Sequence, residues 1–194
     1  TRPTPSPRQG RGGRFVATGP ASRQGEGPAL PERGDLPADF YFFPAEDERE
    51  CAERVVDVAT QRIPERFGFD WVRDVQVLSP MYKGECGVDA LNHRLREARG
   101  STGAELQHGE RLWREGDRVI QTRNDYDKEV FNGDMGRVAA VTARALTVTV
   151  RVPEREVVYE AGSQGDLACA FAITVHRSQR GEFPPVALPP VTHH

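Results

Sequence analysis

The sequence has little cysteine. Its 194 residues contain three, Cys51, Cys86 and Cys169, and their wide spacing fits neither a zinc-binding pattern nor a disulfide framework. Sparse, unpaired cysteine is typical of a reducing compartment, so we expect a cytoplasmic protein. Long apolar runs are also missing: none approaches the roughly 20 residues of a membrane span, and no signal-like apolar segment stands near residue 1. We therefore expect no contact with a membrane.

A large excess of positive charge and the common nucleotide-hydrolysis motif are also missing. Lys and Arg total 26 against 29 Asp and Glu, which gives a net charge of -3. A nucleic-acid site therefore has to be a local patch rather than a basic field over the whole surface. No Gly-x-x-x-x-Gly-Lys-Ser/Thr loop occurs, and no acidic magnesium-holding motif follows a predicted strand. The residues by themselves predict no catalytic side chain and no metal ligand.

Residues 1–34 are rich in Pro, Gly, Ser and Arg, with six Arg against two Glu. Phe15 and Val16 form a single paired apolar anchor, which is too little to offset the entropy cost of ordering the segment. We predict a disordered N-terminal tail. Nucleic-acid binding by this basic tail stays open, beside the plainer interpretation of a solvated segment.

The patterns in residues 35–108 and 166–194 favour an α/β unit. Aromatic residues 40–43 predict a short strand, after which Pro44 opens a helix with Cys51, Val55, Val58 and Ala59 on its buried face and Pro64 ends it. Residues 75–78 predict a second strand, and a helix follows from residue 88. Strand–helix–strand at this length predicts a parallel crossover. The buried stripe expected for the second helix is Val88, Leu91, Leu95 and Ala98.

Residues 109–165 change to the period of strands. Alternating apolar residues predict strands at 118–122, 136–141, 146–152 and 156–160, and turn residues separate them. Several short strands in succession indicate a small β-barrel inserted into the α/β unit.

The most distinctive stretch runs from residue 171 to residue 184. An apolar run stops at Thr174, and polar and charged residues then crowd together before a second apolar run begins after Pro185. Polar turns at the carboxyl ends of strands are where open α/β sheets bind ligands. A second polar loop, residues 79–87, follows the strand at 75–78 and offers backbone N–H groups and Lys83 to an anion. We expect the two loops to share one cleft over one sheet.

Three blocks of sequence resemble the RecD-like branch of superfamily-1 helicases. Residues 174–183, Thr-Val-His-Arg-Ser-Gln-Arg-Gly-Glu-Phe, resemble motif V, although Arg180-Gly181 stands where the family has Gly-Ser. Residues 79–87, Ser-Pro-Met-Tyr-Lys-Gly-Glu-Cys-Gly, resemble motif IV, which Leu91 and Asn92 complete. Residues 124–136 resemble the signature of the small SH3-like barrel that these helicases insert into their second RecA-like domain.

The resemblance implies a fold and a function. It implies a RecA-like parallel sheet with helices over 35–108 and 166–194, and an SH3-like β-barrel over 109–165. It implies a piece of an ATP-dependent helicase that moves 5′ to 3′ on single-stranded DNA with ATP and Mg²⁺, completed by an N-terminal RecA-like domain. The chain alone is expected to bind single strands weakly without hydrolysing ATP. The implied ATP contacts are Gln179, Gly181 and Glu182, and the implied DNA contacts are Ser79, Tyr82, Lys83, Asn124, Asn132, Thr174 and His176.

Other hypotheses remain open. The barrel can be a non-enzymatic nucleic-acid or protein-interaction module, with motif V as a relic. The helicase unit can also belong to a conjugative relaxase or to the α subunit of exonuclease V. Single residues have plainer interpretations too, because an isolated His such as His176 is more often structural than a ligand. Tyr126 and Phe131 are candidates for stacking on bases, but Phe131 fits a barrel core or rim better.

Overall fold

The computed structural model describes residues 14–20, 40–101, 103–145, 147–153, 155–180 and 182–189. The helices in those ranges are α1 (Glu48–Asp57), α2 (Ile63–Phe67) and α3 (Val88–Arg99). The strands are β1 (Arg14–Pro20), β2 (Phe40–Ala45), β3 (Gln76–Ser79), β4 (Glu105–His108), β5 (Arg111–Arg114), β6 (Arg118–Gln121), β7 (Met135–Thr142), β8 (Thr147–Val152), β9 (Arg155–Tyr159), β10 (Leu167–Cys169), β11 (Ala172–Thr174) and β12 (Pro185–Leu188).

Five strands form a parallel sheet in the order β11-β3-β12-β1-β2. Every neighbouring pair in it is parallel. All four residues of β3 are buried, as expected for a parallel strand covered on both faces. The strands predicted at 40–43, 75–78 and after Pro185 all lie in this sheet, which confirms the predicted α/β unit with a parallel sheet.

Strand β1 lies inside the segment predicted as a disordered tail. It pairs with β2 on one side and with β12 on the other. The structure therefore differs from the expectation over residues 14–20, because the two neighbouring strands supply hydrogen bonds that the apolar content of β1 does not reveal. Residues 1–13 and 21–39 lie outside the described residues, and disorder there stays a prediction.

The first helical segment begins and ends later than predicted. Pro44 lies in β2, and α1 is capped by Asp47, whose side chain accepts a hydrogen bond from the Glu50 N–H at 2.8 Å. Pro64 does not end the helix. A π-helical turn over residues 58–62 leads into α2, and Pro64 falls in the first turn of α2. The Ile63 N–H donates to the Val58 carbonyl just before the proline, so the helical path continues through Pro64.

The buried helix faces agree closely with the predicted ones. Cys51, Val55, Val58 and Ala59 are buried, in a core that also contains Val77, Leu91 and Leu95. In α3 the expected Ala98 is exposed, and the amide-bearing Asn92 is buried. A buried amide needs hydrogen-bond partners, and Asn92 finds them on β11.

The antiparallel strands form a second unit where a small barrel was predicted. Its five-stranded sheet has the order β10-β6-β7-β8-β9, and β4 and β5 form a separate hairpin that packs against β7. These strands reach beyond the expected bounds of 109–165, since β4 begins at residue 105 and β10 ends at residue 169. A small apolar cluster joins the two units, with Ile120 of β6 against Leu78, Ile173 and Val186 of the parallel sheet.

Candidate nucleic-acid interface

The two polar loops singled out in the sequence leave the parallel sheet at the same edge. Strands β3 and β11 are neighbours, and Ser79 stands opposite Thr174 in their register. The Val175 N–H donates to the Ser79 carbonyl at 3.1 Å, which continues the pairing past the end of β11. The loop at 80–87 and the turn at 175–180 therefore lie side by side, as expected from the sequence.

Ser79 is fully buried and organises the first loop from inside. Its hydroxyl donates to the Cys86 carbonyl at 2.7 Å and accepts from the Met81 N–H at 3.2 Å. Tyr82, by contrast, is 51% exposed, and Lys83 is exposed beside it. Of the three DNA contacts predicted on this loop, Tyr82 and Lys83 face solvent, and Ser79 holds the loop in shape.

The N-terminus of α3 is closed by the loop that precedes it. The N–H groups of Gly87, Val88 and Asp89 donate to the carbonyls of Gly84, Met81 and Tyr82 at 3.0, 3.0 and 3.3 Å. The expectation that this loop presents backbone N–H groups to an anion is therefore wrong for these three groups, because the loop folds back and occupies them. Lys83 remains as an exposed cation for an anion at this loop.

The turn after β11 shows the same division between inward and outward residues. Thr174 is 5% exposed, and its hydroxyl accepts a hydrogen bond from the Arg177 N–H at 3.3 Å, which fixes the start of the short helical turn at 177–180. His176, Gln179 and Glu182 are exposed. Gly181 lies outside the described residues, so its predicted ATP contact stays a prediction.

A cleft of about 410 Å³, here called the first cleft, opens between α3, the β4–β5 hairpin and the turn after β11. Tyr82 and Thr174 line it among the predicted residues. The contribution of α3 was not predicted: its residues Asp89, His93 and Arg96 also line the first cleft. Their spacing of four and three residues places them on one helix face, and that spacing is visible in the sequence. The remaining polar lining is Asn92, Glu110, Arg111 and Arg177.

A second cleft of about 570 Å³ lies between the barrel and the segment after β11. Asn132, Arg155, Arg177 and Phe183 are among its lining residues. Since Arg177 lines both clefts, the two openings adjoin at this side chain. Asn124, the other barrel residue predicted to contact DNA, is exposed and accepts a hydrogen bond from the Asn132 N–H at 2.9 Å.

Helix α3 ties the two units together below the first cleft. Asn92 Nδ2 donates to the Ala172 carbonyl at 2.8 Å, and its Oδ1 accepts from the Ala172 N–H at 2.8 Å. One helical turn further, Arg96 Nε and Arg99 Nη1 each lie 3.1 Å from the carboxylate of Asp117, which is fully buried. Burial raises the pKa of the Asp117 carboxyl, and the two guanidinium groups oppose that rise.

A second polar contact joins β6 to β3. The Arg118 guanidinium donates to the Val75 carbonyl at 2.7 Å and to Gln76 Oε1 at 2.6 Å. Gln76 Nε2 in turn donates to the Phe171 carbonyl at 3.0 Å. Burial lowers the pKa of Arg118 to about 10, so this cation stays charged at neutral pH. The barrel is therefore held on the parallel sheet by buried, directional contacts.

Within the described residues, no helix has the length and apolar character needed to cross a membrane. The same residues contain no group of three or more His, Cys, Asp or Glu side chains positioned to hold a metal ion.

Comparison with known proteins gives a family match that includes most of the barrel. Residues 91–152 match the family model described as the ATP-dependent RecD-like DNA helicase SH3 domain. An ATP-dependent RecD2 DNA helicase from Deinococcus radiodurans is 41% identical over 112 residues, which cover 56% of this chain and 15% of the relative. The chain thus spans a small part of the length of this curated relative.

Solved structures of Pif1 helicases show weaker likeness. A Pif1 helicase from Bacteroides in complex with ADP-AlF3 and ssDNA aligns over 80% of this chain and 46% of its own, at 16% identity and a TM-score of 0.48. Pif1 helicase from Candida albicans aligns over 77% and 50%, at 16% identity and a TM-score of 0.38. Likeness of this degree defines neither fold nor chemistry. The family match and the Deinococcus relative show that part of the chain is similar to RecD-like DNA helicases, with residues 91–152 corresponding to the SH3 domain of ATP-dependent RecD-like DNA helicases.

Proposed function

We propose that this chain is part of the second motor domain of an ATP-dependent DNA helicase and that it binds single-stranded DNA. The observation that carries the proposal is the pairing of Ser79 with Thr174 on adjacent parallel strands. It brings the loop bearing Tyr82 and Lys83 beside the turn bearing His176 and Arg177. The related Deinococcus protein is an ATP-dependent DNA helicase, which agrees with this use of the edge.

The first cleft has the groups that a single strand requires. Tyr82 offers a half-exposed ring on which a base can stack. Arg177 lines the cleft as a cation, and Lys83 is exposed on the loop beside it. These supply the local positive charge that a chain of net charge -3 must concentrate to attract phosphates.

In this proposal ATP binds on the outer side of the turn after β11. Gln179 and Glu182 are exposed there, and we propose that they and Gly181 contact the nucleotide, with Glu182 accepting from the ribose hydroxyls. A further RecA-like domain supplies the phosphate-binding loop and the Mg²⁺ ligands. With that domain, ATP-driven closure moves the strand in the 5′ to 3′ direction. The chain alone does not hydrolyse ATP.

Anisotropy of a fluorescein-labelled oligo(dT), titrated with the purified chain at several salt concentrations, tests DNA binding. We expect Lys83→Ala with Arg177→Ala to weaken binding and to reduce the slope of log K against log[salt] by about 1.4, or ~0.7 for each lost phosphate contact. The control is Arg49→Ala with Arg151→Ala, which removes two exposed cations outside both clefts. Equal weakening in the control would show that only net charge matters and would contradict the proposed site.

A phosphate-release assay tests the second half of the proposal. The chain is expected to show no ATP hydrolysis above that of the Lys83→Ala variant, with or without oligo(dT). Hydrolysis clearly above that background would contradict the assignment of the phosphate-binding loop to another domain.

A further inference from the structure

Two aromatic side chains of the barrel stand in solvent beside each other. Tyr126 is 74% exposed and Phe131 is 43% exposed. Their ring centroids are 6.0 Å apart, and the ring planes meet at 74°. Folding normally removes large rings from water. Two neighbouring rings left at the surface therefore indicate a contact surface rather than a barrel core.

The loop that carries these rings is held rigidly. Asp125 and Val130 exchange two backbone hydrogen bonds, at 2.8 and 3.0 Å. Arg155 Nη2 donates to the carbonyls of Lys128 and Glu129 at 2.5 and 2.7 Å, from the neighbouring strand β9. Because the backbone is fixed before any ligand arrives, little conformational entropy is lost when a ligand settles on the rings.

Polar groups beside the rings hold their orientation and extend the surface towards the second cleft. Asn124 Nδ2 donates to the Tyr126 hydroxyl at 3.3 Å, and Asn124 Oδ1 accepts from the Asn132 N–H. Asn132, next in sequence to Phe131, lines the second cleft together with Arg177. A strand that leaves the first cleft past Arg177 thus meets Asn132, whose neighbour in sequence is Phe131.

The charges around the loop favour contact with a base over contact with phosphate. Lys128 Nζ is paired with Asp125 at 2.7 Å, and Arg155 lies 3.4 Å from Glu129. These cations are already partnered by acids, so what the loop offers is ring faces. Two rings also expose far less area than the ~800 Å² per partner of a typical protein interface, so the surface fits a single base better than a folded protein.

We propose that Tyr126 and Phe131 form a base-stacking subsite for single-stranded nucleic acid. The proposal rests on the proposed function, because it extends the same interface beyond Arg177. Stacking on aromatic side chains is tolerant of base identity and adds affinity without adding ionic contacts. The subsite is therefore distinguished from the cleft by its indifference to salt.

The test compares two ligands, an oligo(dT) and a strand of equal length whose sugars carry no bases. Tyr126→Ala is expected to weaken binding of oligo(dT) by roughly 5- to 150-fold, to leave binding of the abasic strand unchanged, and to leave the salt slope unchanged. Tyr126→Phe keeps the ring and is expected to bind like the unaltered chain. Val158→Ala is the matched control, since Val158 is a 50% exposed apolar residue elsewhere on the barrel.

Each result decides the matter, provided that circular dichroism shows each variant folded. Equal weakening on the abasic strand would overturn stacking as the cause. Unchanged binding in Tyr126→Ala and in Phe131→Ala would overturn the subsite and leave the rings to a protein partner, while the proposed function stands. If the unaltered chain binds no single strand even at low salt, both the proposed function and the subsite are overturned.

Discussion

Gly87 shows how one residue shapes the interface. A Cβ built there would lie 2.5 Å from the carbonyl oxygens of both Tyr82 and Lys83. These are backbone atoms, so no side-chain rotation relieves the contact. Glycine at this position is what lets the loop fold back and close the N-terminus of α3.

Replacing Gly87 by alanine should therefore destabilise the chain. We expect Gly87→Ala to lower the free energy of unfolding by about 1–3 kcal/mol, the usual cost of overpacking, as measured by urea denaturation. Gly165→Ala is the control, because a Cβ at Gly165 meets nothing within 4 Å. An equal loss in both variants would show that close approach at Gly87 is not the cause.

Tyr159 makes the barrel sensitive to alkali. Its ring is buried, its hydroxyl donates to Gln121 Oε1 at 2.9 Å, and burial raises the pKa of Tyr159 to about 12 from an ordinary 10. The unfolded chain therefore loses the proton first as pH rises. Stability is fully present below pH 10 and declines between pH 10 and about 12.

This decline should depend on the hydroxyl. Tyr159→Phe is expected to start about 1 kcal/mol less stable, for the lost hydrogen bond, and then to lose less stability than the unaltered chain on going from about pH 9 to about pH 11. Urea midpoints at each pH measure both effects. Tyr82→Phe is the control at a half-exposed ring. Parallel decline in all three proteins would rule out Tyr159 as the source.

At the scale of elements, α3 connects three parts of the molecule. Its N-terminus is closed by the loop bearing Tyr82, Asn92 holds the first residue of β11, and Arg96 and Arg99 reach the buried Asp117 between β5 and β6. Several residues in these contacts also line the first cleft, among them Asp89, Asn92 and Arg96. The contacts that hold α3 in place therefore also form part of the wall of the cleft.

Removing Asp117 should loosen that arrangement. Asp117→Ala leaves two largely buried arginines without their counter-charge and is expected to cost about 3–5 kcal/mol of stability, measured by urea denaturation. Glu156→Ala, which removes an exposed ion pair with Arg151 on the same barrel, should cost at most about 1 kcal/mol. Similar small losses in both variants would mean that the buried carboxylate does not hold α3 to the barrel.

At the scale of the whole molecule, the parallel sheet and the barrel each have their own core, and a small shared cluster and the Arg118–Gln76 contact join them. Strand β1 belongs to the parallel sheet, where it lies between β12 and β2. A substitution that disrupts β1 should therefore destabilise the parallel sheet more than the barrel.

Hydrogen exchange can show this inequality. Val16→Pro removes an N–H from an inner strand, where proline is poorly tolerated. Amides of β2 and β12 are expected to exchange about tenfold faster. A tenfold change corresponds to ~1.4 kcal/mol, which lies within the usual cost of leaving one buried polar group without a hydrogen bond. Amides of β7 and β8 serve as the internal control and should change less. Unchanged exchange in β2 and β12 would contradict the inner position of β1.

Much of the fold was accessible from sequence because it depends on local patterns. Alternation in residues 146–152 and helical spacing in residues 51–59 predicted elements that the structure contains at nearly those positions. Pro64 misled the prediction, because proline in the first turn of a helix looks the same in sequence as proline that ends one. Strand β1 was missed, because its place depends on neighbours far along the chain.

The candidate site was likewise predictable from the sequence only in part. Tyr82, Lys83, His176 and Gln179 were predicted as ligand contacts from their residue types. Their exposure agrees with contact to a ligand. Ser79 and Thr174 were predicted as DNA contacts too, and their hydroxyls also bond to the backbone of the loop and of the turn. A Ser or Thr hydroxyl can bond to nearby backbone groups as well as to a ligand, and the sequence does not show which partners lie within reach.

By itself the sequence determined the element types, the two kinds of sheet and the polar loops, because these follow from side-chain periodicity and from the residues that turns require. Only the tertiary structure decided that Ser79 and Thr174 are paired neighbours, that α3 contributes a wall of the first cleft, and that Tyr126 and Phe131 stand in water. Those facts depend on which strands lie side by side, and strand order is set by packing between segments that are distant in the chain.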